Sequence, residues 1–118
     1  FDFGDSIRSF ANPSREDETD PEKVGFRIDV FESFSWGFLS ALKNMLTQKE
    51  KETLVYAPSL FAYMQAVRFL TDYLEGDVYY RTDYPGHNLN RAKNQIILLD
   101  KMRSSYREMQ RIINEFNY

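Results

Sequence analysis

Gln65, Arg68, Thr71 and Asp72 fall on one arc of a helical stretch whose other faces are apolar. An amide, a guanidinium, a hydroxyl and a carboxylate can together donate to and accept from a small polar ligand. Charge on a mostly buried helix needs a partner or water. Two arrangements meet that need. Arg68 and Asp72 can pair at i, i+4 and face solvent, which is worth only about 0.2–0.5 kcal/mol and places the residues in the poorer order. Alternatively, the arc lines a polar cleft. The segment that follows concentrates more hydrogen-bonding groups: Asp77, Tyr79, Tyr80, Arg81, Asp83, Tyr84, His87, Asn88 and Arg91. Loops held by a rigid scaffold often carry binding residues. Tyrosines beside fixed polar groups suit sugars, because each offers a stacking face and a hydroxyl, and they suit ordinary packing as well.

Other chemistries find little support. His87 is the only histidine and there is no cysteine. A zinc site would need carboxylates, and no spacing suggests one. Between Gly86 and Asn88, His87 reads as a loop or capping residue. No GxSxG elbow, GxxxxGK[ST] motif or Gly-rich nucleotide loop is present. Glu16, Asp17 and Glu18 form an acidic run that reads as solvated surface, with weak cation binding as the alternative.

The elements that must position these groups are helical. Residues 1 to 10 form a short helix or turn with Phe3, Ile7 and Phe10 on one side, and residues 12 to 23 form a polar loop. Phe31, Phe34, Phe38, Ala41 and Met45 recur at intervals of three and four, which predicts a helix from about Phe26 to Met45. Thr47 and Glu50 form a capping box that starts the next helix near Gln48. Pro58 should kink or divide that helix, and Gly76 should stop it. Its face of Tyr56, Leu60, Tyr63, Val67, Leu70 and Leu74, flanked by Ala62, Ala66, Phe69 and Tyr73, predicts burial. Val78–Arg81 reads as one extended stretch. Asn88 is the expected N-cap of a last helix of about 27 residues, with a stripe of Leu89, Ala92, Ile96, Leu99, Tyr106, Met109, Ile113 and Phe116.

Composition bounds the rest. With 118 residues, 42% of them hydrophobic, and only 4 Pro and 5 Gly, the chain is one helical domain at most. A net charge of −3 disfavours nucleic acid, whose phosphates demand a basic face. No apolar run approaches the ~20 residues that span a bilayer, and no signal peptide is visible. A cytoplasmic location is expected. Phe1 opens the chain inside an apolar segment, which reads as a fragment of a longer protein.

Several segments carry a family likeness. "FDFGDSIRSFAN", "EDE", "VFESFSWGFL", "RFLTDYLEGDVYYRT" and "GHNLNRAKNQ" occur in order from Phe1 to about Gln95. Together they resemble the carboxy-terminal part of the N-acetylhexosamine 1-kinases, within the aminoglycoside-phosphotransferase and choline-kinase-like superfamily. The resemblance implies a helical carboxy-terminal subdomain of a kinase-like fold, without the nucleotide-binding lobe. It implies ATP and Mg²⁺ as cofactors of the whole protein, with neither bound by this segment alone. Asp2-Phe3-Gly4 spells the triplet that holds Mg²⁺ in protein kinases. In the resembled family, however, the HGD-type catalytic loop and the metal-binding Asp segment both lie upstream. Asp2 instead matches a residue that buttresses the catalytic loop, and Asp5 takes no transferable role.

The same resemblance assigns sugar contacts to Arg68 and Tyr79, and only to those two; Asp72, Asn88 and Arg91 are expected beside them as supports. The expected partners are a sugar and the missing lobe of the same protein. The segment alone should be inactive and should self-associate through an exposed flank near Phe1, Phe3 and Ile7. Two alternatives stay open: a phosphotransferase acting on another small alcohol, such as an amino alcohol or an aminoglycoside, and a stand-alone helical interaction module.

Overall fold

The Thr47 hydroxyl accepts from the Glu50 N–H at 3.1 Å, and the Glu50 carboxylate accepts from the Thr47 N–H at 3.0 Å. Both halves of the capping box therefore form, and the longest helix starts where the sequence places it. The structure is a computed structural model that describes residues 2–42 and 45–116. Its elements are α1 (Phe3–Phe10), α2 (Ile28–Leu42), α3 (Gln48–Leu74), α4 (His87–Ser104) and α5 (Tyr106–Glu115). Among the described residues there is no strand, so the chain is all-α. Phe1 lies outside the described residues, as do Lys43 and Asn44, through which the predicted second helix was to run.

α3 is the axis on which α1, α4 and α5 pack. Pro58 sits inside it without dividing it. The lost N–H removes one ladder bond, but Leu54, Val55, Pro58 and Ser59 are all buried, and packing holds the turn. α1 crosses α3 so closely that a Cβ on Gly4 would sit 2.8 Å from the Ala57 carbonyl oxygen. Asp2 caps α1 by accepting from the Asp5 N–H at 3.1 Å. One core cluster unites Phe3, Ile7, Phe31, Leu39, Val55 and Ile112. A smaller one joins Val24, Ala62, Leu98 and Met102. The Trp36 indole donates to the Ile112 carbonyl at 3.1 Å and ties α2 to α5.

Several sequence expectations need correction. The face of α3 that was to be buried, from Tyr56 to Leu74, points outward, and Leu60 is 55% exposed. The buried face is the flank that carries the small side chains Ser59, Ala62 and Ala66, with Phe69 buried beside them. Small residues let a neighbouring backbone come close, and they win the contact. In α2 the buried residues are Phe31, Ser35 and Leu39, while Ala41 and Met45 are exposed.

The single last helix is two. The Ser104 and Ser105 hydroxyls bond back to the carbonyls of Asp100 and Lys101, and the chain bends at Ser105. Tyr106 then packs edge-on against Tyr56, and its hydroxyl lies 2.6 Å from Ser59 Oγ. Ile96 in the expected stripe is exposed, whereas Asn94 and Gln95 are buried. Val78–Arg81 bends and forms no strand.

The loop at 12–23 is not freely solvated. The buried Asn94 amide donates to Ser14 Oγ and to the Arg15 and Glu18 carbonyls, and it accepts from Asn12 Nδ2. Lys101 Nζ donates to the Pro21 and Val24 carbonyls.

The radius of gyration is 15.4 Å, against about 13.5 Å for a compact domain of this length. The molecule is a slab of 49 × 27 × 17 Å. That flatness is why the outward face of α3 stays uncovered. Phe3 and Ile7, expected on an exposed flank, are buried.

Candidate functional site

The C-terminus of α3 builds the site. Glu75 N–H donates to Thr71 O and Asp77 N–H to Asp72 O, while Gly76 at φ 98° and Asp77 at φ 62° turn the chain back. Gly76 thus stops the helix as predicted, in the left-handed conformation that glycine adopts without strain. The returning segment lies against the last two turns of α3. Between them runs an open cleft of about 470 Å³, lined by Val67, Arg68, Thr71, Asp72, Glu75, Tyr79 and Tyr80.

Asp72 holds the cleft's far wall in place. It is buried, and its two oxygens accept from Tyr79 N–H at 2.8 Å, Tyr80 N–H at 2.9 Å and Asn88 Nδ2 at 2.8 Å. Burial works against its charge. The N–H groups of Tyr80, Tyr79 and Val78 and the Asn88 amide outweigh that effect, so the carboxyl titrates below its ordinary value. The Arg68–Asp72 ion pair that the spacing permits is not made. Among the described residues Arg68 has one long contact, from Nη1 to Gln65 Oε1 at 3.4 Å, and is otherwise free to donate into the cleft. The Tyr79 side chain is 81% exposed, and its ring stands edge-on to Tyr80 at 4.9 Å. Tyr80 in turn packs on Phe69 at 4.8 Å.

Asn88 and Arg91 lie behind this wall, not in the cleft. Asn88 is the second residue of α4 and not its N-cap, which is Gly86. Its amide is needed by Asp72 and by Asp77, to which it donates at 3.0 Å. Arg91 Nη1 donates to the Asn88 side-chain oxygen at 2.9 Å and to the Arg81 carbonyl at 2.8 Å. Its guanidinium sits over the Phe69 ring at 5.7 Å, with Nε 3.5 Å from Glu16 Oε1. The two residues therefore fix the segment that carries Tyr79. Asp2 caps α1 and lines no part of the cleft. Asp5 pairs with Arg8 at 2.8 Å within the same helix.

Sequence reading missed Glu75, which lies seven residues after Arg68 and so on the same side of the helix. The arc was visible, and it extends one residue beyond the apolar pattern that ends at Leu74. Also missed was the grip of the acidic run on α4. Tyr84 OH donates to Asp17 Oδ2 at 2.6 Å. That bond is the main reason the Asp17 carboxyl titrates low and the Tyr84 phenol high. His87 Nδ1 accepts from the Asp83 N–H at 3.1 Å, which puts the proton of the neutral ring on Nε2, 3.5 Å from Asp17 Oδ2. His87 is thus a structural residue at the first turn of α4, as its neighbours suggest.

No protein-family model matches the chain. Among the described residues no three His, Asp or Glu side chains gather where an ion could sit, and no helix is long and apolar enough to cross a membrane.

Proposed function

We propose that this chain supplies the sugar-binding wall of an ATP-dependent kinase that phosphorylates the anomeric hydroxyl of an N-acetylhexosamine. The observation that carries the reading is the largely unengaged Arg68 guanidinium facing the same cleft as Tyr79. Sequence resemblance and cleft geometry select these two residues independently. Thr71 adds a hydroxyl and Glu75 an acceptor. The Tyr79 and Tyr80 rings offer faces for the C–H side of a pyranose. The volume lies within the ~300–1,000 Å³ of small-molecule sites.

The lining sets one cation, Arg68, against the Glu75 and Asp72 carboxylates, and Asp72 turns its charge to backbone N–H groups. The Arg68 guanidinium in the lining favours a neutral sugar over a purely basic substrate such as an aminoglycoside or a quaternary amine. The proton acceptor and the metal ligands of such a kinase are expected from outside this sequence, as the resemblance implies. This chain's share is binding and orientation, which lower the barrier by fixing the hydroxyl relative to the phosphate.

The test is calorimetric titration of the full-length protein with N-acetylglucosamine and N-acetylgalactosamine. Arg68→Ala removes up to five donors, and charged hydrogen bonds to a neutral ligand are each worth about 1.5–3 kcal/mol, so affinity should fall roughly ten- to a hundredfold. Arg68→Lys should rescue poorly because an ammonium lacks the planar fork. ATP affinity should not change. Unaltered sugar affinity in a folded Arg68→Ala variant would refute the reading. Tighter binding of choline or an aminoglycoside would replace it with the amino-alcohol alternative.

A further inference from the structure

α3 turns its most apolar face outward. Tyr56, Leu60, Tyr63, Val67, Leu70 and Leu74 are each 40–74% exposed. They are separated by 4, 3, 4, 3 and 4 residues. That alternation is the heptad spacing of a helix that meets another along its length at a shallow angle, with side chains of one entering spaces of the other. No charged residue interrupts the seam, and of the residues beside it Ser59 and Ala66 are buried within the chain while Ala57, Met64, Thr71 and Tyr73 carry no formal charge.

The spacing reads the same in both directions about Gln65. A two-fold axis there would set Tyr56 against Leu74, Leu60 against Leu70, and Tyr63 against Val67. Each aromatic ring then meets an aliphatic partner, and no seam residue is left over. Beside the seam, Leu99 and Arg103 of α4 border the groove that Tyr56, Leu60 and Tyr63 line. The six seam side chains expose on the order of 600 Å² per copy, and with the α4 border they approach the ~800 Å² that each partner buries in a standard interface. A patch of that size stands at the upper end of what a monomer's surface carries.

We propose that two copies of this chain associate through antiparallel α3 helices. The inference rests on the surface of α3 and not on what the cleft binds. Val67 belongs to both the seam and the cleft, so the cleft opens at the rim of the interface.

Sedimentation equilibrium tests it. The chain should sediment at about twice its 14.0 kDa, with a dissociation constant on the order of micromolar or tighter for an interface of this area. Leu70→Glu should give a monomer with unchanged far-UV circular dichroism, and Leu60→Glu serves if that variant does not fold. Combining Leu60→Glu with Leu70→Lys in one chain should restore the dimer, because antiparallel copies pair the opposite charges twice. A wild-type monomer at on the order of 100 µM overturns the proposal. So does a dimer that survives Leu70→Glu. A dimer lost in the single variant but not restored in the double variant overturns the antiparallel register.

Discussion

Substituting alanine for glycine inside a helix ordinarily stabilises it, and at Gly4 the sign should reverse. A Cβ at this position would lie 2.7 Å from Phe61 Cδ2, 2.8 Å from Ala57 O and 2.9 Å from Ala57 C. The ring edge can swing aside, but the two backbone atoms belong to α3 and cannot. α1 must therefore lift off α3, loosening Phe3 and Ile7, which are 6% and 0% exposed. Overpacking of this kind costs about 1–3 kcal/mol. The gain in helix propensity is at most about 1 kcal/mol, and less near a helix end. The net loss should be about 1–2 kcal/mol, which lowers the melting temperature by roughly 4–8 °C for a domain of this size. Gly37 in α2 is the internal control, since nothing lies within 4 Å of its would-be Cβ. Gly37→Ala should raise stability by about 0.5–1 kcal/mol. Thermal melts of both variants followed by circular dichroism give the comparison. Equal or same-sign shifts would show that α1 does not approach α3 as closely as the geometry requires.

Thr47→Ala removes one half of the capping box and should cost about 0.5–2 kcal/mol, read from urea unfolding midpoints. Asn94→Ala strips the loop at 12–23 of its buried anchor, with an expected loss of about 2–4 kcal/mol and new protease cleavage within that loop. The acid limb of the pH profile follows from Asp72, Asp17, Glu50 and Glu108. All titrate lower in the folded chain than in the unfolded one, so their stabilisation is complete above their unfolded values, about pH 4 to 4.5, and is lost as pH falls through the depressed values. The Tyr84 phenol is raised, so its contribution holds below about pH 10 and fades as pH climbs through the raised value. Urea midpoints should be level between these limits, and Asp72→Asn should flatten the acid limb. An acid limb unaltered by Asp72→Asn would count against the buried carboxylate as its origin.

Local signals were legible and choices between faces were not. The capping box at Thr47 and Glu50 and the stop at Gly76 are short-range chemistry, written in a few adjacent residues, and both form. The polar arc with Arg68 was also visible, because charge stands out on an apolar helix. α3, however, has two apolar sides. A helical wheel ranks them by side-chain size, whereas close packing of α1 and α4 selects Ser59, Ala62 and Ala66. The break at Ser105 was hidden because Leu99 and Tyr106 are seven residues apart, a spacing that a continuous helix also satisfies. Asn88 has the composition of an N-cap, and only the folded chain reveals that its amide is committed to Asp72 and Asp77.

The Asp72 carboxylate has a consequence for how the segment after α3 breathes. Tyr79 presents an almost fully solvated side chain, yet its amide proton and that of Tyr80 point at a buried anion. Those two protons should exchange with solvent at rates typical of a helix interior, while their neighbours at 81 and 82 exchange like open coil. An isotope-exchange map would then show protection running from the end of α3 through Tyr80 and dropping at 81 and 82. Their protection would vanish only when the junction of α3 with α4 opens as a unit. The ring of Tyr79 is thus mobile about its own bonds on a backbone that is already fixed. A ligand meeting it would have a side chain to order and no loop to fold.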